Sequence, residues 1–237
     1  MIRPPRPSPG QLVLGLAFAG LAVAWPLFAG WMVERFGVRA LAATLLGVSA
    51  LSVRGARGAL PAELALGAFY LSGLFGLAAL ALVTGEGVFL LLIPAWVCAA
   101  VARVFASSLH GGGSVVERVA FMIEPHAPEF IRPYCRRVTV LYGAVFAANA
   151  VAIAALALFA PLDWWRAYAG WIAWLVFIPL SAVEFAVRKA HFRIYDDRPL
   201  DFLFERFFPA ERTEMGRRAN AHKIQMRRSL GRPERGR

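Results

Sequence analysis

Residues 138–159, VTVLYGAVFAANAVAIAALALF, contain no charged side chain and follow directly on Arg136-Arg137. A helix of that length rises roughly 33 Å, enough to cross the ~30 Å hydrocarbon core of a bilayer. A long apolar run bounded by charge is the mark of a membrane-spanning helix.

Five more apolar segments lie outward from it. Leu12–Val33 runs 22 residues without a charge and is followed by Glu34-Arg35. Ala40–Val53 is only 14 residues long, between Arg39 and Arg54. It reaches about 21 Å and crosses if those two arginines snorkel to opposite interfaces. Leu64–Val83 lies between Glu63 and Glu86, a fourth segment starts at Val88 and reaches at least Ala102, and Tyr168–Val187 is the last. The expected fold is an all-α polytopic transmembrane bundle of about six spans with short amphipathic interfacial helices. It occupies residues 1–187 with a cytoplasmic loop at 103–137, and a basic cytoplasmic tail at 188–237 carries an interfacial helix over 199–208.

Composition agrees. Of 237 residues, 59% are hydrophobic and 17% charged, and mean hydropathy is +0.56. A soluble domain carries about 45–50% apolar and about 25% charged residues. The net charge of +11 does not point to nucleic acid, because the basic residues flank apolar runs instead of forming a groove-reading domain. It points to topology. With the N-terminus inside, Arg3, Arg6, Arg54, Arg57, Arg103, Arg118, Arg132, Arg136 and Arg137 are inside, as are the 14 Lys or Arg of residues 188–237. Only Arg35, Arg39 and Arg166 fall outside, the bias that the positive-inside rule requires. Both termini are thus expected on the cytoplasmic side of the membrane, with membrane lipids as partners. Arg3, Arg6 and the Ala22-Val-Ala24 triplet resemble a signal peptide, but the apolar run continues nine residues further, as an uncleaved anchor would.

Within the spans, Pro26, Pro94 and Pro179 predict kinks. Ser72 and Gly76 have the spacing of a close helix contact. Trp164, Trp165 and Trp171 fit an outer aromatic belt. Asn149 requires an interhelical partner, and Glu184 pairs with Arg188 one turn on. Cys98 and Cys135 make no disulfide or metal framework.

The loop at 103–137 carries the candidate interaction surface: Glu117, Arg118, Glu124, Arg132, Arg136 and Arg137. Ser114-Val-Val-Glu117 is a capping box. Val115, Val116, Val119, Ala120 and Ile123 then recur at helical spacing, predicting a short surface helix that ends before Glu124-Pro125. Pro128 starts a second helical piece leading into the fifth span. The arginines suit either a phosphate or anionic lipid. His110-Gly111-Gly112-Gly113 resembles an oxyanion-hole motif but lacks a G-x-S-x-G elbow, so it reads as a hinge. Glu124, His126 and Glu129 have the chemistry of a metal or acid–base site, and a solvated turn is the plainer account. In the tail, Asp196-Asp197 and Asp201 resemble half of a Mg-diphosphate site without the facing cluster, and helix capping ahead of Pro199 is the plainer account. Leu200, Leu203, Phe204 and Phe207 form the interfacial stripe. Past Pro209 the chain reads as extended or loosely helical. No catalytic, metal or cofactor residue is assigned, and no cofactor is expected.

Val116-Glu-Arg-Val-Ala-Phe-Met-Ile-Glu-Pro125, Arg136-Arg-Val-Thr139, Phe146, Asn149 and Trp164-Trp165 together resemble one family. It is the polytopic bacterial inner-membrane proteins encoded near aryl-polyene (xanthomonadin-type) or fatty-acid-synthase-like genes. The resemblance spans roughly Arg103 to Arg188. It implies a non-catalytic accessory of acyl-carrier-dependent lipid or aryl-polyene biosynthesis. The partner would be an acyl carrier protein or a biosynthetic enzyme at the cytoplasmic face. A transporter or flippase for a lipid-like product, and a membrane enzyme acting on an acyl or prenyl substrate, are the alternatives. Ketosynthase chemistry is excluded for want of an activated Cys with His partners.

Overall fold

The computed structural model describes residues 25, 28–29, 31–55, 61–123, 127–193 and 205–229. Among these the regular structure is entirely helical. The helices are α1 (Val38–Gly55), α2 (Pro61–Thr84), α3 (Val88–Ser108), α4 (Val115–Ile123), α5 (Arg132–Phe159), α6 (Leu162–Phe192) and α7 (Glu214–Ser229). Three stretches are long and apolar enough to cross a membrane: Val88–Ser108, Glu129–Phe159 and Leu162–Phe192, of 21, 31 and 31 residues. Val38–Gly47 and Phe69–Thr84 are shorter apolar helices.

The breaks have local causes. Gly37 and Gly85 stand at φ +79° and +78°, a left-handed conformation that glycine adopts without a Cβ clash. Each donates its N–H to the carbonyl four residues back (Val33, Ala81) at 2.9 Å, which closes the helical stretch at 31–36 in the first case and α2 in the second. α3 is irregular at Leu92, two residues before Pro94. Pro94 has no N–H to offer the Leu90 carbonyl. The Trp25 indole supplies one instead, with Nε1 at 3.2 Å. α6 contains a π-turn at Tyr168–Ile172 and a further irregular turn at Val176, three residues before Pro179. Pro26 lies outside the described residues.

The chain divides into two compact units, Met1–Val116 with Arg136–Leu175, and Glu117–Cys135 with Val176–Arg237. The first unit contains two apolar clusters. One gathers Trp25, Ala29, Leu41, Ala42, Ala81, Leu90 and Ile93. The other gathers Ala95, Cys98, Ile153, Trp165, Ala169 and Ala173. Alanine is frequent in both because lipid gives helices little hydrophobic reason to associate, so small side chains that permit close packing carry the contact.

Two expectations are corrected in this unit. A close helix contact falls at Gly73, whereas Gly76 makes none with the described residues. A Cβ built on Gly73 would fall inside the Trp96 indole, while one on Gly76 meets open space. Trp96 is fixed there by its Nε1 donating to the Tyr70 carbonyl at 3.1 Å. Nor do the three tryptophans form one belt. Trp164 is 70% exposed and Trp171 62%, but Trp165 is 1% exposed. Neighbouring helix positions point about 100° apart, so Trp164 and Trp171 share one face. Trp165 joins Ala169 and Ala173 on the buried one.

The second unit contains the tail, which past Pro209 takes the helical one of the two states expected of it, over Glu214–Ser229. α7 packs against the Phe177–Phe192 part of α6. Thr213 has extended backbone angles and its Oγ1 accepts the Gly216 N–H at 3.1 Å, a side-chain N-cap. Glu214 pairs with Arg218 one turn later. The missed signal was this cap together with Met215, Ala219 and His222 at i, i+4 and i+7. Most of the expected helix at 199–208 lies outside the described residues, of which 205–207 are helical.

Candidate functional site

α4 starts where expected, and two side chains from other helices meet its first amides. Ser108 Oγ on α3 accepts the Val115 N–H at 3.2 Å, and Thr139 Oγ1 on α5 accepts the Val116 N–H at 3.3 Å. Helix N-terminal amides have no intrahelical acceptor, so these hydroxyls fix where α4 begins.

In the same first turn, Glu117 pairs with Arg132 Nη1 at 3.3 Å, and Arg132 Nη2 reaches Glu129 Oε1 at 3.2 Å. The same guanidinium lies 5.4 Å from the centroid of the Phe121 ring. Arg132 therefore ties α4 to the chain leading into α5, and most of its capacity is already spent on two carboxylates and a ring. Arg118, Arg136 and Arg137 are exposed. The outer edge of α4 is apolar, with Val119, Met122 and Ile123 exposed. Glu124 and His126 lie outside the described residues, as do Asp196, Asp197 and Asp201.

Glu184 is the centre of a second arrangement in the same unit. Its carboxylate is 3.3 Å from Arg188 Nε and accepts a hydrogen bond from Tyr134 Oη at 3.2 Å. Tyr134 also lies edge-on to Phe192, with centroids 5.0 Å apart, and stacks on His191 at 6.3 Å. The Glu184–Arg188 pair was legible as an i, i+4 spacing. Tyr134 was not: it lies 50 positions from Glu184, and nothing local marks it.

In the first unit, the buried Asn149 accepts a hydrogen bond from Tyr168 Oη at 2.9 Å. Tyr168 opens the π-turn of α6, an irregularity often found where a helix must aim a particular side chain. The Trp165 Nε1 is buried without an acceptor. One position on from Trp165, Arg166 lies between Glu34 (3.4 Å) and Asp163 (3.6 Å), both largely exposed.

Cys98 and Cys135 are both buried, and neither is in a disulfide. Among the described residues, no group of three or more His, Cys, Asp or Glu stands close enough together to hold a metal. What the side chains display is pairing of guanidinium groups with carboxylates of the same chain, next to apolar surface. No protein-family model, no curated protein and no solved structure matches the chain.

Proposed function

We propose that the chain is a six-span protein of the bacterial inner membrane with both termini cytoplasmic. It acts as a non-catalytic accessory of acyl-carrier-dependent lipid or aryl-polyene synthesis. The observation that carries this reading is the contrast between the loop arginines. Arg132 is engaged by Glu117 and Glu129, while Arg136 and Arg137 stand exposed at the last turn before the apolar run of α5. A pair of exposed cations at the membrane surface complements an acidic carrier protein and steers its approach. The positive-inside bias gives that surface its cytoplasmic address.

The test is mass spectrometry of the total lipid and pigment extract from a deletion strain, complemented with the wild-type chain or with R136E/R137E. Loss of an acyl or polyene product on deletion, its return with the wild-type chain and its continued absence with the variant are expected. An extract unchanged by deletion overturns the pathway. Full rescue by the variant overturns the interface.

A further inference from the structure

The end of α6 presents more than an ion pair. Glu184 is 16% exposed in its side chain and is held from two directions, by Arg188 Nε and by Tyr134 Oη. The Tyr134 hydroxyl also lies 3.3 Å from the main-chain carbonyl of Glu184, so the tyrosine is anchored to that turn as well as to the carboxylate. Arg188 is thereby fixed through its Nε edge while its side chain stays 51% exposed. A guanidinium held at Nε keeps its two terminal nitrogens for another partner, in the planar fork that matches phosphate oxygens.

The surroundings select what that partner is. Lys189 follows directly, and the two cations approach one ring, Arg188 at 5.6 Å and Lys189 at 5.9 Å from the Phe185 centroid. Ile178, Ala182, Phe185 and Lys189 stand at i, i+4, i+7 and i+11, so they form one stripe down the helix. Ile178 is 66% exposed. The apolar run from Tyr168 to Val187 rises about 30 Å, the thickness of the hydrocarbon core. Arg188 and Lys189 therefore fall at headgroup depth, with an apolar track leading from them into the bilayer. Among the described residues of this turn, Arg188 and Lys189 against Glu184 leave a net positive charge.

We propose that the Arg188–Lys189 end of α6 binds the phosphate of an anionic phospholipid. Its acyl chain lies along Ile178, Ala182 and Phe185, and Glu184 and Tyr134 are positioning residues that hold Arg188 ready. The site needs only that α6 crosses the bilayer; it is independent of the carrier-protein reading.

The full chain, purified in mild detergent, is titrated with phosphatidylglycerol and with phosphatidylcholine, and retained lipid is counted by native mass spectrometry. The wild-type chain is expected to hold phosphatidylglycerol in preference. Arg188→Gln is expected to lower that retention about tenfold, the scale of one charge-assisted hydrogen bond. Tyr134→Phe should lose part of the preference for phosphatidylglycerol without changing phosphatidylcholine retention, which a merely structural role would not do. Lys189→Gln leaves the Glu184 arrangement intact and should weaken retention several-fold, which keeps the test open if Arg188→Gln fails to fold. Equal retention of the two lipids by the wild-type chain overturns the site, and so does wild-type retention in both cation variants. Displacement of the lipid by millimolar glycerol phosphate overturns the acyl track in favour of a soluble phosphate.

Discussion

Tyr168 Oη donates to Asn149 Oδ1 at 2.9 Å, joining α6 to α5 by a side-chain hydrogen bond between two helices that both qualify as membrane spans. An amide in hydrocarbon has no water to fall back on, and the tyrosine is the group that meets it here. Double-mutant cycles on such bonds in a membrane give about 0.6 kcal/mol on average and at most about 1.7. Tyr168→Phe and Asn149→Leu are each expected to destabilise the chain in mixed-micelle denaturation. The double variant should be less destabilised than the sum by an amount in that range. Strict additivity would show that the bond contributes nothing.

Gly73 and Gly76 lie one turn apart on α2 yet should respond oppositely to added bulk. At Gly73 any side chain must displace the Trp96 indole and break its bond to the Tyr70 carbonyl. Overpacking of this kind costs about 1–3 kcal/mol. At Gly76 a methyl group meets open space, and alanine gains about 0.5–1 kcal/mol over glycine inside a helix. Thermal unfolding of Gly73→Val and Gly76→Ala in detergent checks both signs. A Gly73→Val variant as stable as the wild type would mean that the indole has another place to go.

Trp164 and Trp165 are adjacent in sequence and opposite in consequence. Trp165 is packed with Ile153, Cys98 and Ala169, so Trp165→Ala is expected to cost about 3–5 kcal/mol. Trp164 faces outward, and Trp164→Ala should stay within about 0.5 kcal/mol in detergent. Equal losses at the two positions would return Trp165 to the outer belt.

These cases show where the sequence stopped informing. Long spans were legible because apolarity is summed over many residues. Val138–Phe159 lies within α5 and ends with it, although the helix starts six positions earlier at Arg132. The start of α4 was legible because Ser114 and Glu117 mark a helix N-terminus within four residues. The Glu184–Arg188 pair was legible for the same local reason. Tyr134 with Glu184, Arg132 with Glu117, and Trp96 on Gly73 join positions 50, 15 and 23 apart by chain number. Such pairs depend on how helices meet, and periodicity carries no record of it. The distinction between Trp164 and Trp165 was missed for a different reason. Residue type groups all three tryptophans at an interface, whereas helical phase, with Ala169 and Ala173 as guides, separates Trp165 from the other two.

The tail tests the weight of a single cap. Basic composition past Pro209 left extended chain and loose helix open, and the helix is what forms: Thr213 accepts the Gly216 amide and α7 runs from Glu214 to Ser229. The apolar content of this helix is low, so its register depends heavily on how it starts. Removing a threonine N-cap costs about 0.5–2 kcal/mol. Thr213→Ala is therefore expected to speed hydrogen exchange across the first turns of α7 by roughly fivefold for each kcal/mol lost. Thr213→Asp should restore protection, because its carboxylate caps the same amide and favours the positive end of the helix dipole. The spans of α3 and α5 should exchange at unchanged rates in both variants. Unchanged exchange of α7 in Thr213→Ala would mean that its packing against α6, and not the cap, fixes the helix.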